Sequence, residues 1–159
     1  MPADTVLTYE WFPRPIVVAN EYSMMAAKFE SRAGLMEALS QIVVKDIGYQ
    51  FDVEGVPKWA AWSEAYADSS EHGGAILDRL GDLRAGAENE GSLEVTRDTI
   101  AWTGAAAPEY WIYHALGTIK MPQRTWIGLT PTGEAEAYAA ADEWLGAVVA
   151  GGSAGLTFG

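Results

Sequence analysis

From Asn20 to Ile47 the apolar residues return every three or four positions, and no other stretch constrains the fold as much. Leu35, Leu39 and Ile42 share one face, flanked by Met36, Val43 and Ile47. Asn20 is a candidate N-cap with Glu21 in the first turn, and Gly48 is a natural stop, so the spacing predicts one helix of about 27 residues. A helix with one apolar stripe needs an apolar partner. Downstream, Leu93–Thr96 and Thr99–Thr103 alternate around Arg97-Asp98, which predicts a β-hairpin. Val6–Phe12, ending at Pro13, and Thr125–Leu129 read as two further strands. Thr130 as N-cap and Pro131 at the first helical position open a last helix. Its expected buried stripe is Tyr138, Ala141, Leu145 and Val148, and Gly151-Gly152 ends it.

Shorter elements lie between these. Residues 50–57 form a connection with turn chemistry at Gly55 and Pro57. Trp59–Ala67 predicts a short helix carrying Trp59, Trp62 and Tyr66, and Ser69–Gly74 a loop. Asp78–Ala87 predicts a second short helix, weakened by Gly81 and Gly86. Gly104–Pro108 reads as a loop, and Glu109–Leu116 as one or two helical turns closed by Gly117. The expected class is α+β: a small, mostly antiparallel sheet packed against a long N-terminal helix and a C-terminal helix. Residues 1–152 are expected to form a single domain, with 153–159 as a mobile tail.

Composition narrows the function classes. At 159 residues the chain can bury a real core. It has no cysteine, which removes disulfides, thiolate nucleophiles and thiolate-bound zinc. The longest apolar runs are too short for a membrane helix, and residues 1–20 lack the pattern of a signal peptide. Twenty-two acids against ten bases give a net charge of −12, which disfavours a surface that grips nucleic acid. The deficit is uneven. Residues 99–130 hold Glu109 against Lys120 and Arg124, and are rich in aromatics: Trp102, Tyr110, Trp111, Tyr113 and Trp126. Residues 131–159 hold four acids and no base.

Catalytic signatures are sparse. No phosphate-binding loop, dinucleotide fingerprint, zincin helix or nucleophile elbow is present. The chain has two histidines, His72 and His114. Asp52 and Glu54 lie on one side of an extended segment and could hold a hard cation, but read more simply as solvated carboxylates. His114, behind Tyr110, Trp111 and Tyr113, reads either as a general base or stacking contact, or as a hydrogen-bonded histidine in an aromatic turn. Arg124 suits a carboxylate pair, within the chain or across subunits, and equally a solvated surface position. Seven tryptophans exceed what such a core readily hides, so some are expected at a subunit interface.

Four spaced pieces then form a series. They are Glu54-Gly55-Val56-Pro57-Lys58-Trp59, Ile76-Leu77 with Gly81, Leu83 and Arg84, Tyr110 with Tyr113, His114 and Gly117, and Met121-Pro122 with Arg124, Trp126, Ile127, Gly128 and Leu129. The series, covering about residues 54–129, resembles the tail-completion or virion-morphogenesis proteins of tailed bacteriophages. Trp126 stands where that family usually has Phe. The resemblance implies a non-enzymatic structural virion protein of the neck or tail, with no cofactor and no metal. It implies a tail terminator: a self-assembled, six-fold ring that caps the tail tube and joins it to the head. DNA would pass through its lumen without specific binding, and no membrane is involved. Its partners would be further copies of itself, the tube, and neck or connector proteins, assembled in the host cytoplasm. Under it, Trp59, Tyr110, Tyr113, His114, Gly117, Pro122, Arg124 and Trp126 are interface or structural residues. The alternatives are a head-side connector or stopper, an adaptor that binds another protein through residues 99–130, and, in a different class, a small carboxylate-dependent enzyme.

Overall fold

Eight buried aromatic and aliphatic side chains anchor the core of the computed structural model, which describes residues 15–64, 68, 75–78 and 80–153. The chain divides into two compact units, Ala33–Ala141 and a second one made of Met1–Arg32 with Asp142–Gly159. The elements are α1 (Pro15–Glu30), α2 (Ala33–Asp52), α3 (Asp82–Ala87), a 3-10 turn (Glu90–Ser92), β1 (Leu93–Val95), β2 (Ile100–Trp102), α4 (Trp111–Leu116) and α5 (Pro131–Ser153). The class is α+β, as expected: helices with a two-stranded antiparallel sheet. The Val6–Phe12 strand, the Ser69–Gly74 loop and residues 154–159 lie outside the described residues.

The single helix expected from Asn20 to Ile47 is instead two. The break falls at Ser31-Arg32. Ser31 N–H donates to both Ala27 O and Lys28 O (3.1 Å each), and Arg32 Nε–H donates to Phe29 O (3.1 Å). A side chain therefore takes a carbonyl that the continuing helix would have used. Asn20 is interior to α1, not its cap. Gly48 does not stop α2 either, because it sits mid-helix against Glu88: a Cβ there would lie 2.9 Å from Glu88 Oε1. In the second unit, Phe29 and Trp144 meet edge to face at 5.7 Å.

The buried row of α2 is Met36, Ser40, Ile47, Gln50 and Phe51, with Asp46 beside it. Leu35, Leu39 and Ile42 are only half-buried. The face is turned toward the expected flank because three of its members are polar. Asp46 explains its own burial. Its Oδ2 accepts from Thr130 N–H (2.7 Å) and its Oδ1 from the Thr130 hydroxyl (2.6 Å). Thr130 Oγ1 in turn accepts from Gly133 N–H (3.1 Å), so the expected N-cap is formed and is itself held by α2.

This contact also sets the phase of α5. Gly133 lies so close to Asp46 that a Cβ would fall 2.6 Å from its Cγ. With Gly133 inward, helical spacing turns Ala137 and Ala140 the same way. The stripe expected on α5 is corrected accordingly: Val148 is buried and Ala141 half-buried, but Tyr138 and Leu145 are exposed. α5 also runs through Gly151-Gly152 to Ser153.

The hairpin forms as expected, pairing Leu93 with Trp102, Glu94 with Ala101 and Val95 with Ile100. Buried Ser92 ties it to α3, donating to Gly86 O (2.7 Å) while its own carbonyl accepts from Thr103 N–H (2.7 Å). α3 starts at Asp82 rather than Asp78, since Gly81 sits at φ 81°. Residues 59–63 are irregular, not helical: the Ala60 and Ala61 carbonyls accept from Arg124 instead of from amides further along the chain.

Thr125–Leu129 has no regular secondary structure, pairs with no strand among the described residues, and bends at Gly128 (φ 120°). Side chains occupy its carbonyls. Trp59 Nε1–H donates to Thr125 O (2.8 Å), and Gln50 Nε2 donates to Trp126 O (3.2 Å) and Gly128 O (2.9 Å).

Replacing Asp46 with Ala strips two buried donors of their acceptor, a loss of about 2–4 kcal/mol. Urea unfolding of Asp46→Ala is expected to show a lower midpoint at an unchanged slope. An unaltered midpoint would remove Asp46 as the link between α2 and α5.

Candidate functional site

The four spaced sequence pieces meet in one cluster. Phe51 sits between Trp59 (5.5 Å between ring centres) and Trp126 (5.5 Å). Trp126 meets Trp102 edge to face at 6.0 Å, and Trp102 meets Trp111 at 4.7 Å. Trp59 and Trp126 are buried, and Trp62, Trp102, Trp111 and Trp144 are half-buried. All six described tryptophans are thus used within the chain, and Trp11 lies outside the described residues.

The Gly55 turn shapes the entrance to this cluster. Gly55 has φ 94°, and a Cβ on it would meet the Trp59 indole at 2.5 Å. Glu54 Oε1 accepts from Ile76 N–H (3.2 Å), which joins the first piece to the second. Asp52 instead pairs with Arg84 (2.8 Å). The two carboxylates read as a possible cation pair are therefore engaged separately. Arg84 also holds Glu88 (2.7 Å), and hydrogen bonds to Glu88 and then Asp52 raise its pKa above the usual arginine value. Among the described residues no group of three or more His, Asp or Glu is placed to hold a metal ion.

Arg124 is 2% exposed and joins three pieces of chain. Its Nε–H donates to Ala60 O (2.7 Å) and its Nη2–H to Ala61 O (2.9 Å). The guanidinium lies 4.6 Å from the Trp62 ring centre, and Arg124 N–H donates to His114 O (2.8 Å). It is a staple between the Trp59–Trp62 stretch, α4 and the 124–130 segment. The sequence left it open between a carboxylate pair and a solvated position; Arg124 is not solvated, and carbonyl dipoles and an aromatic face meet its charge.

His114 is half-buried in α4, edge-on to Tyr110 at 6.0 Å. Its Nδ1 is shut off from solvent with no hydrogen-bond partner among the described residues. Burial, and then the nearby Arg124 charge, lower its pKa below 6.5. It lines a cavity of about 260 Å³ with Trp62, Leu77, Asp82, Leu83 and Tyr110. Gly117 closes α4 at φ 74°, as its position after the helix requires.

The outer side of this region is apolar. Tyr110, Ile112, Tyr113, Leu116 and Ile119 are all exposed, and Pro122 is exposed beyond them. Of the eight sequence-derived residues, Trp59, Arg124 and Trp126 are internal, Gly117 shapes a turn, His114 lies between, and Tyr110, Tyr113 and Pro122 face outward. Sequence reading missed Gln50, Asp46, Ser92 and Ile119. The first three are polar residues inside apolar patterns. The signal for Ile119 was an aliphatic residue in a turn. No protein-family model, curated protein or solved structure matches this chain.

Two outcomes follow. Arg124→Ala leaves two carbonyls and an indole without their cation, and is expected to cost about 2–4 kcal/mol in denaturant unfolding; Arg124→Lys should recover only part. His114 binds its proton less readily folded than unfolded. Stability is therefore full above pH 6.5 and falls as pH drops through that value toward the folded pKa. Melting temperatures between pH 7.5 and 5 should fall less steeply for His114→Gln than for the native chain. Parallel slopes would rule out His114 as a contributor.

Proposed function

We propose that this protein is a structural component of a phage virion, a tail-completion protein that assembles into a ring at the head-proximal end of the tail. The exposed apolar surface of Tyr110, Ile112, Tyr113, Leu116 and Ile119 carries this reading. Five exposed apolar side chains between Tyr110 and Ile119, on a charged chain, mark a surface made to be covered. The motif series adds support, because its four pieces converge on the Trp59–Phe51–Trp126 cluster and the Arg124 staple directly behind that surface. Their spacing then serves to fix the outward-facing turns, not to gather reacting groups.

The charge fits the same reading. A chain at −12 repels phosphate, so a ring with acids along its lumen lets DNA pass without holding it. In this role the Tyr and Pro side chains contact neighbours, while Trp59, Arg124 and Trp126 keep the contact surface rigid. No helix among the described residues is long and apolar enough to cross a membrane.

Light scattering with negative-stain imaging, on the protein alone and with assembled tail tubes, tests the reading. Rings, free or seated on tube ends, are the expected result. A chain that stays off the tube and leaves head–tail joining intact when deleted would sink it.

A further inference from the structure

The acids that reach α3 are engaged, with one exception. Asp52, Asp78 and Glu88 all meet Arg84 (2.8, 3.6 and 2.7 Å), and Glu54 accepts from Ile76 N–H. Asp82 is exposed, and its carboxylate has no ion pair or hydrogen bond among the described residues. It lines the same cavity of about 260 Å³ as His114.

The rest of that lining is apolar and aromatic. Leu77 and Leu83 are buried, and Trp62, Tyr110 and His114 contribute three rings. The volume falls below the ~300–1,000 Å³ of pockets for drug-sized ligands, yet is several times the ~30 Å³ of one water. It suits a group the size of a side chain. Burial and the Arg124 charge lower the His114 pKa, so at neutral pH the ring is uncharged and does not oppose a cation. Arg124 itself is not part of the lining; the Ala60 and Ala61 carbonyls hold it.

We infer that this cavity binds a primary alkylammonium group, with the ammonium paired to Asp82 against the Trp62 and Tyr110 rings and the alkyl stem packed on Leu77 and Leu83. Each part of the lining selects. Aromatic faces attract a cation through their quadrupole. The free carboxylate supplies the opposite charge, and a chain at −12 draws cations and repels anions. An anion meets Asp82 unfavourably, and a neutral apolar group leaves its charge unused. The leucines call for an apolar stem, which a bare metal ion lacks. Two sources carry this chemistry, a free amine and the lysine side chain of a partner protein. The site goes beyond the ring reading and does not depend on it.

Proton NMR of the full chain at constant ionic strength and neutral pH provides the test. The chain has two histidines, so His114→Gln assigns the His114 ring signals. Titration with n-butylammonium chloride is expected to shift those signals and to saturate at concentrations on the order of millimolar, as suits so small a ligand. n-Butanol and sodium butyrate, with the same stem but no positive charge, should bind about tenfold more weakly. Asp82→Asn should weaken butylammonium about fivefold and Tyr110→Leu about threefold, each with a native circular dichroism spectrum. No saturating shift at His114, equal binding of butanol, or undiminished affinity in Asp82→Asn would each overturn the site. Nα-acetyl-lysine methylamide separates the two sources. Binding at least as tight as butylammonium supports the site with a partner's lysine as its occupant, and exclusion of the lysine amide while butylammonium binds supports it with a free amine.

Discussion

The 124–130 segment is held in place by side chains, and most of the larger unit depends on that arrangement. Gln50 and Trp59 bind its carbonyls, Asp46 binds its end at Thr130, and Arg124 reaches from it to Ala60 and Ala61. A strand in a sheet is held by a partner whose sequence hardly matters. Here each hold needs a particular donor or acceptor at a particular place. The stretch carries the core's largest fully buried side chain, Trp126, so any shift would open the aromatic cluster. Such fixing suits a protein whose outward turns must keep one shape.

This explains which parts of the fold were legible in the sequence. The hairpin, the α4 turn closed by Gly117 and the Thr130-Pro131 helix start were readable because each depends on local chemistry. The break at Ser31-Arg32 was not, since it turns on one arginine side chain folding back onto a carbonyl. The strand read at Thr125–Leu129 failed for a related reason. Its residues favour extended backbone, but its partners are side chains from 66 to 78 residues away. Hydropathy also misplaced the inner faces of α2 and α5. Asp46 fixes both, and a pattern of apolar residues cannot weigh a buried carboxylate.

The candidate site divides along the same line. Sequence spacing singled out Tyr110, Tyr113, His114 and Arg124 together, and the structure does bring their segments together. It could not tell which way each side chain turns. Arg124 and Trp126 go inward as supports, while Tyr110 and Tyr113 go outward. Among the described tryptophans two are buried and four half-buried against neighbours in the chain, and the fully exposed apolar side chains of this region are tyrosine, isoleucine and leucine.

Net charge and apolar surface pull in opposite directions in this chain, and their ranges decide the balance. Repulsion between copies at −12 acts over a Debye length of about 8 Å at physiological salt. It slows approach and discourages disordered aggregation. Apolar burial acts only at contact, and there it grows with each side chain removed from water. A chain with both properties associates only where a shaped apolar surface finds its match, and stays dispersed otherwise. The near-neutral stretch 99–130 exposes Tyr110, Tyr113, Leu116 and Ile119, so the part of the sequence free of excess acid also exposes apolar side chains.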